Sequence, residues 1–335
     1  YGATASIIAA VKGYADVMDV LCRNDADKNK CNPEGLTLAM ICAKLGHVEV
    51  LKVLFTWNAD FRRQDKKGRS VVTIASCYNR PNVIKYFSSI LDNPLHQQRI
   101  SNRVPNMNEL VGSFKETPLS IATMKNNVEA VIALLRSPHV NVVATNAVGM
   151  TFLFIAAKLN RVDVVFALCK SERNAAGEGG VLKRLQSEKK TLFENKFTVL
   201  TLKDKVGKMT PLFCALDRGH HEIVEYLAPV YNLNNSFYGE NMIPPLVFCA
   251  MKNDVDNIMV LLTAGANVDQ IDAAGHSALT VAARHGFVDC CAVLAQYGAN
   301  LKIQSKKGGG TPLQKARRYK HAQVVEFLEQ YSSGP

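Results

Sequence analysis

Apolar residues along the chain fall in short blocks separated by polar turns, and the blocks come in pairs. In the longer block of a pair they recur at three- and four-residue intervals, as in Val48, Leu51, Leu54 and Phe55 or in Val324, Val325 and Leu328. That is the spacing of one face of an α-helix. The shorter block centres on two small residues, seen as Ala9-Ala10, Cys42-Ala43, Ala75-Ser76, Ala156-Ala157, Cys249-Ala250 and Ala282-Ala283. Small side chains there let neighbouring helices approach closely.

Ahead of each shorter block stands a residue suited to a helix start: Thr4, Thr37, Ser70, Thr117, Thr151, Thr210, Pro244, Ser277 and Thr311. A Thr or Ser hydroxyl caps the free amides of a first turn, and a following proline, as in Thr117-Pro118, Thr210-Pro211 and Thr311-Pro312, forfeits no hydrogen bond. Successive markers are 33, 33, 47, 34, 59, 34, 33 and 34 residues apart. A period of that length, met in six of the eight intervals, predicts stacked helix-turn-helix units closed by β-turns.

The two long intervals locate insertions. The first, 89–113, has no repeat pattern and holds Pro94, Pro105 and Gly112, which predicts a long loop with one short helix at most. It reads either as a surface excursion or as a loop supplying part of a binding surface. The second, 170–206, places Leu182, Leu185, Leu192 and Phe193 at helical spacing, interrupted by Lys189, behind a joint of Gly177, Gly179 and Gly180. It predicts an amphipathic helix on the flank of the stack. The expected organisation is repeats one to three over 1–88, the loop at 89–113, repeats four and five over 114–169, the basic insertion at 170–206, and repeats six to nine over 207–335. In the last unit Arg317 replaces the second small residue and Lys315, Arg318 and Lys320 make the first helix polar, as a terminal cap requires. Residues 331–335 are expected to be disordered. The first unit, with apolar Ile7 and Ile8 and no initiating Met before Tyr1, reads as following earlier chain.

Between Leu261 and Ala299, residues Gly275, Ala282, Ala283, Gly286, Leu294 and Gly298 fall where the ankyrin repeat family expects them. The chain resembles that family. The resemblance implies an all-α solenoid of about nine repeats with the two insertions, and a binding scaffold rather than a catalyst.

At 335 residues the chain exceeds one compact core, which a repeat array accommodates by adding cores unit by unit. Its apolar runs fall far short of a membrane span. Nine cysteines without a CxxC pair, two of them (Cys42 and Cys249) in small core positions, point to buried thiols in a reducing, cytoplasmic setting. Candidate chemistry fails on inspection. Asp25, Asp27 and Asn29 alternate like calcium ligands, but Lys30 and Leu36 stand where such a loop needs Gly and Glu. Lys306 to Thr311 offers glycines at a helix start without the order of a nucleotide loop. His47, His220, His221 and His285 have no zinc-spaced cysteines beside them, and no nucleophile motif frames any serine. The sequence therefore predicts no enzyme, no metal and no cofactor.

One pattern remains. Seven or eight residues after the markers stand Lys12, Lys44, Lys125, Lys158, Arg218, Lys252, Arg284 and Arg318, a base in eight of nine repeats, where composition alone would fill about two of the eighteen slots. The ankyrin resemblance puts this column on the concave face. With a net charge of +11, of which 302–335 supplies +5, it predicts an acidic protein partner on Lys158, Arg218, Lys252, Arg284 and Arg318, joined by Lys306 and Lys307. Nucleic acid fits less well, because the ladder offers only Tyr78 and Tyr319 for stacking. A second resemblance is narrower. Phe287-Val288-Asp289-Cys290-Cys291, Ala295-Gln296-Tyr297-Gly298 and Leu301-Lys302 are similar to a stretch of the ankyrin-repeat and EF-hand proteins of cilia and flagella. It covers under a tenth of the chain, implies an axonemal partner and suits acidic tubulin. The alternative is a targeting or substrate-recruiting arm of a larger enzyme or signalling protein.

Overall fold

A computed structural model describes residues 4–93, 103–169, 200, 202–305 and 309–333. The helix expected around 182–193 and its glycine joint lie outside the described residues, as do Lys306, Lys307 and residues 94–102 of the first insertion. The chain divides into two compact units, Tyr1–Val199 and Leu200–Pro335.

Among the described residues the first unit holds five helix pairs: α1 (Ala5–Lys12) with α2 (Ala15–Arg23), α3 (Leu38–Leu45) with α4 (Val48–Thr56), α5 (Val71–Cys77) with α6 (Pro81–Asp92), α7 (Pro118–Met124) with α8 (Val128–Arg136), and α9 (Phe152–Lys158) with α10 (Val162–Cys169). The second holds four: α11 (Pro211–Arg218) with α12 (His221–Leu227), α13 (Pro245–Met251) with α14 (Val255–Thr263), α15 (Ala278–His285) with α16 (Val288–Gln296), and α17 (Pro312–Arg318) with α18 (Ala322–Ser333). Within each unit first helices pack on first helices and second on second, forming two layers. Among the described residues strand pairing is confined to isolated bridges, such as Cys31 with Thr37 and Ile271 with Ser277, at the necks of the turns ahead of first helices.

The markers do what their chemistry predicts. Eight of the nine cap their helix, from Thr37 Oγ1 accepting Met40 N at 3.2 Å to Thr311 Oγ1 accepting Gln314 N at 3.3 Å. Pro244 has no hydroxyl and makes no side-chain cap. The small pairs are fully covered, with Cys42 and Ala43 at 0% exposure. Leu51, Leu54, Val324 and Leu328 carry the stripe of the second helices into the same core. Each such side chain contributes roughly 1.5–3 kcal/mol on burial.

Three expectations are corrected. Helix α6 continues to Asp92, inside the stretch read as a loop, because Ile90 is buried and Ser88 Oγ donates to Ser137 Oγ at 2.8 Å. Tyr331 is helical rather than disordered, its hydroxyl donating to Ala295 O at 2.8 Å and its ring against Phe327. Lys315 does not help to make the last unit polar; it is 5% exposed, at the place where repeats two to eight bury Ile, Cys, Phe or Val. The described part of the first insertion is held on the stack, with Met107 buried, Arg103 O accepting Phe61 N, and Asn108 spanning His139 O and Asn141 N.

Candidate interaction surface

Every interhelical turn contains one residue in the left-handed region, nine residues after the marker: Gly13, Gly46, Asn79, Asn126, Asn160, Gly219, Asn253, Gly286 and Lys320, with φ between 52° and 89°. Gly and Asn tolerate that conformation best, and Lys320 is the exception. At five of the junctions the next residue is a hydrogen-bond donor that reaches back to the preceding first helix. His47 Nε2 meets Val11 O at 3.1 Å, Arg80 Nε donates to Lys44 O at 3.0 Å, Asn127 Nδ2 to Ser76 O at 2.8 Å, and Arg161 to Met124 O at 2.6 Å. In the second unit His321 Nε2 meets Arg284 O at 2.9 Å. These side chains satisfy carbonyls that a helix end leaves open. The sequence carries the signal as donor types recurring ten residues after the marker, where His47 and His220 read as ordinary turn residues.

The base column lies beside these turns. Lys158 ends α9 in the first unit, half-buried, with Nζ 3.7 Å from Met150 Sδ. In the second unit Arg218, Lys252, Arg284 and Arg318 are exposed. Two of the four have partners on neighbouring repeats. Lys252 Nζ reaches the Asp217 carboxylate at 2.7 Å and its backbone oxygen at 2.8 Å, and Arg284 lies over the Tyr319 ring at 5.4 Å. Lys44 lies over Tyr78 in the same way at 5.1 Å. Both tyrosines thus serve as cation–π floors, a pairing legible as a base seven residues and a Tyr eight residues after consecutive markers.

Acids line the column's edge. The first turn of the second helix carries Asp16, Glu49, Glu129, Asp163, Glu222, Asp256 or Asp289 in seven of nine repeats. Bases at the end of one helix and acids at the start of the next both complement helix dipoles, so part of the pattern stabilises the repeat itself. An open groove of about 470 Å³ between the sixth and seventh repeats is lined by Arg218, His221 and Lys252 but also by Asp217, Asp254 and Asp256. Buried Lys315 lies near Arg284, Arg318 and Asp272; burial first, then Arg284, lowers its pKa, and Asp272 opposes them.

Three buried thiols are unsuited to nucleophilic work. Burial pushes Cys42 and Cys291 up to about 12 and Cys290 to about 11, far from the thiolate range. Asp27 Oδ1 accepts Asn29 N, and Asn29 Oδ1 accepts Asp60 N, so the alternating acids around residue 27 shape a turn and tie two repeats together. Among the described residues no group of three or more His, Cys, Asp or Glu side chains is arranged to hold a metal ion.

The family profile for ankyrin repeats, in three copies, matches residues 6–94, 93–178 and 246–334. The chain belongs to the ankyrin repeat family. The sixth repeat falls outside those matches, yet α11 and α12 form it with Thr210 as its cap. Among curated proteins the chain is similar to synphilin-1 of Mus musculus, 28% identical over 126 residues that cover 36% of this chain and 13% of that protein. It is also similar to a glycerophosphocholine phosphodiesterase, gde1, of Schizosaccharomyces pombe, 29% identical over 120 residues, 36% of this chain and 11% of that one. The matched stretch thus spans about an eighth of the length of these relatives. The crystal structure of the ankyrin repeat protein EF0377 aligns with 64% of this chain and 96% of its own, at 20% identity and a TM-score of 0.49. As an ankyrin array the chain is a protein-interaction module. No helix among the described residues is long and apolar enough to cross a membrane.

Proposed function

We propose that the chain is a non-enzymatic scaffold that binds an acidic protein through the base column, on Lys158 in the first unit and Arg218, Lys252, Arg284 and Arg318 in the second, with Lys306 and Lys307 adding charge. The observation that carries the reading is the exposure of four bases on consecutive first-helix ends of the second unit. The acids beside them make the partner's charge pattern a matter of register rather than of bulk attraction. Exposed charges act mainly on association rate and contribute about 1 kcal/mol or less each. The buried thiols suit a cytoplasmic, reducing setting. The local similarity to ciliary proteins nominates an axonemal partner with an acidic surface, tubulin among them.

The test is Arg284→Glu with Arg318→Glu, titrated against a polyglutamate peptide and against tubulin at low and high salt. The expected result is a binding loss of about tenfold at low salt that narrows as salt rises. Unchanged affinity in a folded variant would leave the column to helix electrostatics. Pull-down from ciliated cells without any axonemal component would remove the ciliary reading.

A second reading has its own support. The matched relatives are several times longer than the shared stretch, and one is named as a phosphodiesterase. The chain would then act as the targeting or substrate-recruiting arm of a larger enzyme or signalling protein. Recovery of a catalytic activity with the full polypeptide, absent from residues 1–335 alone, would favour it.

A further inference from the structure

Lys315 is a base at a position where the other repeats carry an apolar side chain. Four residues after their markers, Ile74, Phe248 and Val281 are 0%, 7% and 8% exposed, and Lys315 is 5% exposed at the same place in the last repeat. An apolar residue would pack there as well, so the charge breaks a local rule that the fold does not require. The stem is covered, yet Nζ is not sealed from solvent, and among the described residues it makes no hydrogen bond or ion pair. A lysine so placed keeps its head at the water while its carbons fill the core.

The charged groups that act on Lys315 are Arg284, Asp272 and Arg318. Asp272 is already engaged, its Oδ1 accepting His276 N at 2.8 Å and its Oδ2 lying 3.2 Å from His276 Nδ1. Among the described residues the ion pairs of this region join His276 to Asp272 and Arg317 to Glu329, and neither Arg284 nor Arg318 takes part in one. Three bases against one acid leave a surplus of positive charge. The column differs at Lys252, whose ammonium meets the Asp217 carboxylate at 2.7 Å.

We propose that Lys315, flanked by Arg284 and Arg318, is the anchoring site for a carboxylate side chain of an acidic peptide segment. The inference rests on the reading of the base column as the face for an acidic partner, and it narrows that face to the last two repeats. A carboxylate on Nζ would form an ion pair with one side against the packed core, which salt screens less than a pair on a fully exposed base. Nucleic acid fits poorly here, because the Tyr319 ring lies under Arg284 at 5.4 Å and is not free to stack on a base.

The experiment titrates the full chain with a hexaglutamate peptide, with hexaglutamine as the uncharged control, at low and high salt. Lys315→Met keeps the stem and removes the charge. It is expected to weaken hexaglutamate binding by about tenfold or more at both salt concentrations, and to leave the melting temperature unchanged or higher. Arg318→Met is expected to cost about threefold at low salt and less at high salt. A loss at Lys315→Met no larger than at Arg318→Met, or one that vanishes with salt, would make Lys315 one more surface charge. That result overturns the inference and leaves the acidic-partner reading standing, whereas unchanged binding in Arg284→Glu with Arg318→Glu would remove both. A fall of several degrees in the melting temperature of Lys315→Met would show that the ammonium serves the fold, and tighter, Lys315-dependent binding of a phosphoserine peptide would assign the site to phosphate; either result overturns the inference.

Discussion

Repeat one meets the stack through Gly13 and His47, and repeat nine through Gly286 and His321. In both joints the glycine has positive φ, at 78° and 80°, and the following repeat's imidazole sits where a β-carbon would stand, 2.7 and 2.6 Å from Nδ1. The outward sides differ. Repeat one turns out Ile8, Val17 and Val20, while α18 turns out Gln323, Glu326 and Glu329, with Arg317 paired to Glu329 at 2.5 Å. Stacking demands are therefore written into every repeat alike, and the two outward faces differ at the few positions that no described neighbour covers.

The sharpest way to break the comparison is to charge the covered counterpart of Val17 in the last repeat. Val324 is 0% exposed, and Val324→Lys should destabilise the second unit by about 4 kcal/mol or more, since an unpaired ammonium would be buried. Urea denaturation followed by hydrogen exchange in α16 to α18 measures it.

A smaller and equal effect is expected at the two joints. Gly13→Ala and Gly286→Ala should each cost about 2 kcal/mol, from a left-handed alanine and from displacing the histidine that holds the preceding carbonyl. Adding His47→Ala to the first and His321→Ala to the second should cost less than the sum of the single changes. Strict additivity in one cycle but not in the other would show that the joints are not built alike, and additivity in both that neither glycine acts through its histidine.

The smallest effect tests the last helix pair. Tyr331→Phe removes one hydroxyl donation to Ala295 O and should lower local stability of α18 by about 1 kcal/mol. No change in exchange at α18 would mean that Phe327 and Leu328 hold it without that bond.

Much of this was legible. Thr4, Thr37, Ser70 and their equivalents announced helix starts because a cap is a local bargain between one hydroxyl and one amide. The paired small residues announced close packing for the same local reason. What stayed hidden depended on the neighbour. Lys315 reads as a polar cap residue until the preceding first helix lies over it. Tyr331 reads as a loose tail until Ala295 is brought within reach. The base column was visible, but the acids at the next helix start, Asp256 and Asp289 among them, were not weighed with it, and the ring beneath Arg284 lies in another repeat. Of the residues that carry the narrow ciliary resemblance, Cys290, Cys291 and Ala295 are buried packing positions, while Asp289, Gln296, Tyr297, Gly298 and Lys302 are exposed.

The backward-reaching donors also impose a calendar. At the five junctions where they are seen, the donor belongs to the later repeat and the carbonyl to the earlier one. On a ribosome adding about 5–20 residues per second, a first helix waits about two to seven seconds, its end held only by water, until the 33 residues that bring its partner have been made. The longest of these waits falls on α5, because 47 residues separate Ser70 from Thr117.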